Sequence, residues 1–531
     1  MPVMTTVSSQ VRQFVYQLSV SRYNARQVKK QTAACKTATQ RPLDFSPFIA
    51  ALATLTDERA QALDERLIDA TIPDIQRWLA GGELTSVELT LYYLFRIKRF
   101  DVGRLNSVIE LNPDALSIAE ALDQERRAGK LRGALHGIPV LLKDNIGTGD
   151  RLHTTAGALA LIDAHADRDA FLVGRLRDAG TIVLGKTNLS EWANYMSDHS
   201  VNGFSAVGGQ THNPHGPFDV SGSSSGSAVA VSERFATLAV GTETYGSIIS
   251  PAGQNAVVGL KPSLGLISRD RIVPITDATD TAGPMASNVT DLSLLLSALA
   301  GPDPNDPMSH AAYATEGLEI TPSALADRLD GLCIGWLQPE MQRAGDKRVY
   351  ARAIEALQHT GATVVKVPFA PPKIAFDLLL RFGFKAGVNA YLAATQAPIA
   401  SLADIVSFNQ QDLRQRAPYG QRLLEKALQE TISCVDYKKL VQQNRTAALA
   451  AVHKTLADNH LDALLTFDAF STFGGVFPMA GVTTLSVPAG RRASGEPVGM
   501  VLAGDYLQDK KLIAIAFAFE QATKHRKASK S

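Results

Sequence analysis

The chain has 531 residues, a formal net charge of +1, 45% hydrophobic residues and 20% charged residues. These values are typical of a globular protein with a sizeable core. The near-zero net charge gives no indication of binding to nucleic acid or to an anionic membrane surface. No segment approaches the roughly 18 uninterrupted apolar residues of a membrane helix, so the sequence predicts no membrane span.

The three cysteines, Cys35, Cys333 and Cys434, lie far apart. This spacing argues against a disulfide framework or a structural zinc site and favours a reducing compartment. Residues 1–43 include basic side chains but neither Asp nor Glu, which is also the composition of an organellar transit peptide. We therefore predict a cytoplasmic protein, with an organellar location as the alternative. Residues 1–60 are interpreted as an N-terminal extension that is helical or partly disordered.

Helical and strand patterns alternate along the first half of the chain. Apolar spacing and a capping box at Thr85-Ser86-Val87-Glu88 predict two helices within residues 71–100. The elements predicted next are strand 107–111, helix 113–127, strand 137–143, helix 170–179 and strand 181–184. Such alternation predicts an α/β fold whose mixed or parallel sheet carries helices on both faces.

A loop rich in Pro, Asp and Asn at 303–307 precedes the second half. The elements predicted there are strand 332–336, helix 348–359, strand 363–367, a mostly helical stretch at 374–457, strands 463–467, 484–487 and 498–502, and helix 511–523. We interpret residues 61–525 as one large α/β domain with its core at about 107–300 and a helical insertion at about 374–457. A basic tail, 526–531, follows.

Two loops of small residues flank the apolar segment 228–240. The first reads Ser221-Gly222-Ser223-Ser224-Ser225-Gly226-Ser227 and the second Gly241-Thr242-Glu243-Thr244-Tyr245-Gly246-Ser247. Neither has the Gly-Lys-Ser/Thr ending of a P-loop. The first formally matches Gly-x-Ser-x-Gly, with Ser224 as nucleophile, but that elbow requires a preceding strand, and residues 212–219 make a poor one. Two interpretations stay open: flexible turns, or an acyl-transfer site in which two hydroxyls meet.

Two further polar features accompany the loops. Lys143 ends the apolar run Val140-Leu141-Leu142. A lysine there either keeps its ammonium group in water or is buried, in which case its pKa falls and it becomes a general base. His212 and His215 have no Cys or paired acidic residues nearby in sequence, so no metal site is predicted.

Several segments, taken in order, resemble the amidase signature family of serine hydrolases, with wording similar to its bacterial peptide-amidase-like branch. The resemblance covers roughly residues 65–525. The matching segments are the two loops together with 137–145 (GIPVLLKDN), 154–157 (TTAG), 185–191 (GKTNLSE), 259–263 (GLKPS), 280–285 (DTAGPM), 486–490 (SVPAG) and 497–499 (PVG).

The resemblance implies the amidase-signature α/β fold and a Ser–cis-Ser–Lys triad without a cofactor. Ser247 matches the family's nucleophile, Ser223 the bridging serine with a cis peptide bond, and Lys143 the base. The implied oxyanion hole consists of the backbone N–H groups of Thr244, Tyr245, Gly246 and Ser247. Tyr245 departs from the small or acidic residue usual at its position, so Tyr245 and Ser224 are predicted substrate contacts.

The implied activity is hydrolysis of a carboxylic or peptidyl amide through an acyl-serine intermediate, releasing ammonia or an amine. The substrate is a small-molecule or peptide amide, and the protein is a monomer or homodimer. One alternative is the glutaminase (A) subunit of a tRNA-dependent amidotransferase. An alternative of another class is a catalytically idle binding or scaffold protein, which the joint presence of Lys143, Ser223 and Ser247 disfavours.

Overall fold

The computed structural model describes Lys29 and residues 41–309, 327–338, 345–395, 397–467 and 475–525. Most of the predicted basic N-terminal segment and the whole of the tail 526–531 therefore lie outside the described residues. The predicted domain boundaries and cellular location stay predictions. Among the helices of the described ranges, none combines the length and apolar character needed to cross a membrane.

The strands form one large sheet and one small one. They are β1 Val108–Leu111, β2 Pro139–Lys143, β3 Ile182–Thr187, β4 Phe204–Ser205, β5 Gly209–Gln210, β6 Leu238–Glu243, β7 Val258–Lys261, β8 Thr281–Ala286, β9 Cys333–Trp336, β10 Thr363–Lys366, β11 Ala463–Thr466, β12 Thr484–Arg491 and β13 Pro497–Ala503. The large sheet has 11 strands in the order β1-β3-β2-β6-β8-β7-β12-β13-β11-β9-β10. The strands β4 and β5 pair separately.

The large sheet is mixed, as predicted. The strand β2 runs parallel to β3 and β6, and β9 runs parallel to β10 and β11. The strands β8, β12 and β13 pair with antiparallel neighbours. Every residue of β2, β3, β6 and β8 is buried, which means that both faces of the sheet are covered there. The predicted α/β fold class is confirmed.

The α-helices alternate with the strands in the first half and dominate the region 374–457. They are α1 Ile49–Leu52, α2 Asp57–Leu67, α3 Ile72–Gly81, α4 Ser86–Arg96, α5 Ala115–Arg127, α6 Phe171–Asp178, α7 Ser225–Ser232, α8 Ile249–Gln254, α9 Val289–Leu299, α10 Asp346–His359, α11 Phe376–Thr395, α12 Leu402–Gln410, α13 Leu413–Arg416, α14 Arg422–Leu428, α15 Cys434–Asp458, α16 Val476–Ala480 and α17 Asp509–Thr523.

Local sequence explains several helix starts. The Thr85 side chain accepts the N–H of Glu88 at the start of α4, which is half of the predicted capping box. Ser433 accepts the N–H of Asp436 at the start of α15 in the same way. Each cap satisfies an N–H group that the helix leaves without a partner, so these boundaries lie where the sequence places them.

Three apolar clusters hold the molecule together. The largest surrounds the sheet and includes all of Val140, Leu141 and Leu142 of β2. A second joins α11 to α12 and α14 and also contains Trp192, whose ring meets Phe384 edge to face. A third lies between α15, α16 and the sheet. The helical region therefore packs beside the edge of the sheet at which β2 and β6 end.

Candidate active site

The candidate site lies where the parallel neighbours β2 and β6 end. Lys143 is the last residue of β2, and Thr242 and Glu243 are the last two of β6. The antiparallel strand β8 starts at the same edge, where Thr281 pairs with Glu243. Carboxyl ends of adjacent parallel strands meet at one edge of a sheet, which brings these distant residues together.

The Lys143 side chain is completely buried. Its Nζ lies 2.7 Å from Ser223 Oγ, 3.0 Å from Ser224 Oγ, 2.9 Å from Thr242 Oγ1 and 3.2 Å from the Thr242 carbonyl oxygen. Hydroxyl and carbonyl oxygens thus surround the amine, and none of its direct contacts in the described residues is a carboxylate.

Burial shifts the Lys143 amine toward its neutral form. Loss of solvation lowers the pKa of Lys143 to about 7, although the negative charges of Glu243 and Asp280 partly oppose this shift. Burial disfavours the charged form of an amine. A large fraction of Lys143 is therefore neutral near neutral pH and able to accept a proton.

The first serine loop is held against the second. The peptide bond between Gly222 and Ser223 is cis, and Ser223 is fully buried. The Ser224 N–H donates to the carbonyl of Ser247 at 3.1 Å, and the Ser190 N–H donates to the carbonyl of Ser223 at the same distance. The helix α7 begins at Ser225, so the loop is held in place by defined contacts on both sides rather than being a flexible turn.

The second loop turns sharply between β6 and α8. Gly246 has φ +71, a left-handed conformation that glycine adopts without steric cost. The Glu243 carboxylate accepts the N–H groups of Ile248 and Ile249 at 2.7 and 3.1 Å. Within the described residues, the backbone N–H groups of Gly246 and Ser247 donate to no protein acceptor. They are left available beside the Ser247 hydroxyl, and Ser247 itself is 8% exposed.

A cavity of about 670 Å³ opens next to this edge. Its walls come from the ends of β6 and β8, the loop 269–280, and one face of α11 that carries Gly383, Ala386, Gly387 and Ala390. Asn145, Thr242 and Thr244 connect the cavity to the surroundings of Lys143. The loop is braced by Arg269, which pairs with Asp306 at 2.7 Å. The predicted substrate-lining region within 374–477 accordingly supplies one wall.

The two predicted substrate contacts have different surroundings. Tyr245 is half-buried, packs edge to face on Phe376 with ring centroids 5.5 Å apart, and borders a small pocket near α16. The Ser224 hydroxyl is fully buried and donates to the Thr242 carbonyl oxygen at 3.0 Å. The contacts of Ser224 are with Lys143 and Thr242, so its surroundings differ from those expected of a substrate contact.

Sequence reasoning missed three polar residues of the site. Thr242 contacts Lys143 through two oxygens, Asn145 donates to Thr242 Oγ1 at 3.0 Å, and Glu243 fixes the backbone after Ser247. All three lie inside the segments that carried the family resemblance. The available signal was position, because each adjoins a predicted site residue at a strand end.

Comparison with known proteins identifies the family. The amidase family model matches residues 88–513. The chain belongs to the amidase signature family. As a member of this family it is an amide-hydrolysing enzyme, so the predicted family and activity are confirmed.

Individual members of the amidase signature family are similar over most of the chain. A probable amidase of Arabidopsis thaliana is 38% identical over 482 residues, covering 87% of this chain and 91% of that protein. The peptide amidase structure from Stenotrophomonas maltophilia is 42% identical with a TM-score of 0.82, covering 87% of this chain and 98% of that chain. The glutamyl-tRNA(Gln) amidotransferase of Thermosynechococcus vestitus has an A-type subunit that is 31% identical over 493 residues, covering 86% and 98%.

Proposed function

We propose that this amidase hydrolyses a carboxylic or peptidyl amide through an acyl-Ser247 intermediate, with Ser223 as proton bridge and Lys143 as base. The observation that carries this proposal is the buried Lys143 amine, 2.7 Å from Ser223 Oγ, with a pKa of about 7. Among the relatives, the peptide amidase supports a substrate with a terminal or peptidyl amide.

The hydrogen-bond partners of Lys143 support a directed lone pair. Because the Ser224 hydroxyl donates to the Thr242 carbonyl, Ser224 Oγ is left to accept an N–H of Lys143. Thr242 Oγ1 accepts the second N–H. A neutral amine has two N–H groups and one lone pair, so the lone pair is directed at Ser223 Oγ. Ser224 is therefore proposed as a positioning residue.

Acylation then proceeds by two coupled proton transfers. The Ser223 hydroxyl gives its proton to Lys143 Nζ and takes the proton of Ser247, whose oxygen attacks the amide carbon. The amide carbonyl becomes an oxyanion, which the N–H groups of Gly246 and Ser247 stabilise, together with those of Tyr245 and Thr244 as the loop allows. Each such donor is typically worth about 2.7–4 kcal/mol.

Collapse of the tetrahedral intermediate requires a proton on the leaving nitrogen. Lys143 returns its proton through Ser223 to that nitrogen, and the C–N bond breaks with release of ammonia or an amine. Water, activated by the same pair, then attacks the acyl ester of Ser247 and regenerates the enzyme. Ammonia release needs no other protein in this scheme, in contrast to the amidotransferase alternative.

The test measures ammonia or amine release by the purified chain alone against peptide amides, aryl amides, fatty amides and glutamine. We expect the wild type to release product from at least one amide other than glutamine, and Ser247→Ala to release none. Release from glutamine only, and only after addition of the other proteins of an amidotransferase, would favour the amidotransferase function. Undiminished release by Ser247→Ala would contradict the proposed nucleophile.

A further inference from the structure

Asn145 has a buried acceptor atom that the described residues leave unused. Its side chain is 2% exposed, and its Nδ2 donates to Thr242 Oγ1 at 3.0 Å and to the Val273 carbonyl at 3.4 Å. Since a carbonyl can only accept, Val273 fixes which end of the amide is the nitrogen. The Oδ1 atom is buried and has no hydrogen-bond donor in the described part of the chain.

The position of Asn145 distinguishes it from other buried amides. Asn255 also has an Oδ1 without a donor, while its Nδ2 bonds to the carbonyls of Val220 and Pro251. Asn145 lines the 670 Å³ cavity, whereas Asn255 is not among the residues that line it. An unused acceptor in a cavity wall is one that a ligand can reach, and a buried acceptor left unpaired costs free energy.

The oxygen atoms nearer to Lys143 are already engaged. Ser223 Oγ, Ser224 Oγ and both oxygens of Thr242 contact Lys143 Nζ. Asn145 is linked to Lys143 through a single intervening atom, Thr242 Oγ1. A substrate amide that reaches Ser247 brings N–H groups into this region, and those groups need an acceptor.

We propose that Asn145 Oδ1 accepts a hydrogen bond from the N–H of the scissile amide and so selects amides over esters of the same acyl group. This inference rests on the proposed function, since it requires the amide to bind beside Ser247. Asn145 is then a substrate-binding residue on the leaving-group side. The ester has an oxygen in place of that N–H and cannot make the bond.

Binding in the absence of chemistry gives the sharpest test. In a Ser247→Ala background, dissociation constants are measured for Nα-acetyl-L-phenylalaninamide and for its methyl ester, with and without Asn145→Ala. We expect Asn145→Ala to weaken amide binding about tenfold and to leave ester binding within about twofold. Because no proton is transferred in this background, an altered Lys143 cannot produce the difference.

Two further variants separate recognition from folding. Asn255→Ala, the matched control, should leave the ratio of amide to ester affinity unchanged. Asn145→Asp keeps an acceptor oxygen and should preserve the preference for the amide even if Asn145→Ala folds poorly. Equal weakening of both ligands by Asn145→Ala, or no weakening of the amide, would overturn the proposal. Failure of the proposed function would be seen separately, as amide hydrolysis by the Ser247→Ala protein.

Discussion

At the scale of single residues, the burial of Lys143 makes the reaction rate depend on pH in a defined direction. Its pKa is lowered to about 7 by burial, and only the neutral amine accepts the Ser223 proton. We expect kcat/KM to fall about tenfold per pH unit below pH 7 and to level off above it. The measurement is kcat/KM for one amide between pH 5 and 9.

Removal of the amine provides the matching control. Lys143→Ala should lower acylation near neutral pH by about 10²–10⁴, the usual contribution of a general base, and should lose the step in the profile near pH 7. A variant that retains both the rate and the pH dependence would mean that another group acts as base.

Ser224 tests whether a buried hydroxyl orients Lys143 or touches the substrate. Ser224→Ala removes the acceptor 3.0 Å from Lys143 Nζ, so we expect kcat to fall about tenfold with little change in KM. Ser227→Ala is the control, because its hydroxyl is equally buried but bonds to Thr187 and to the Val240 carbonyl. A raised KM with unchanged kcat would instead restore the direct substrate contact first predicted.

At the scale of elements, α11 owes its close packing to glycine. A Cβ at Gly383 would lie 2.4 Å from Thr276 Oγ1 and 2.9 Å from Thr276 Cα, so Gly383→Ala should destabilise the fold by about 1–3 kcal/mol. Gly174 lies in α6 with open space around it, so Gly174→Ala should stabilise by about 0.5–1 kcal/mol. Thermal unfolding should show melting temperatures that shift in opposite directions. A shift in the same direction would contradict the packing argument.

The same helix limits the size of the substrate. Ala390 is exposed in the cavity wall, and Ala390→Phe would fill part of the 670 Å³. We expect KM for amides with bulky acyl groups to rise about tenfold, while short amides react as before. Ala393→Phe, exposed on α11 and not among the residues that line the cavity, is the control. Equal effects on long and short amides would place substrate elsewhere.

Elements differed in how far local sequence defined them. The caps and apolar spacing of α3 and α4 placed them correctly because those signals are local. The strand β8 was missed because Gly283-Pro284 is typical of a turn. In the structure, pairing between β7 and β8 covers Val258–Ala286 and Gly259–Met285. Pro284, which has no N–H, therefore lies just beyond the end of that pairing.

At the scale of the whole molecule, the site exists only after the strands are ordered. The sequence predicted the α/β class and, through the family resemblance, Lys143, Ser223 and Ser247. It did not predict that β2, β6 and β8 are neighbours, because their pairing skips other strands in the chain. The roles of Thr242 and Asn145 depend on that pairing and on the packing of the loop 269–280, which are non-local effects.

The central claim is that Ser247, rather than Ser224 of the Gly-x-Ser-x-Gly segment, becomes acylated. A fluorophosphonate probe followed by proteolysis and mass spectrometry locates the covalent adduct directly. We expect the adduct on Ser247, with labelling absent in Ser247→Ala and slowed in Lys143→Ala. An adduct on Ser224, or equal labelling of the wild type and Ser247→Ala, would contradict the mechanism.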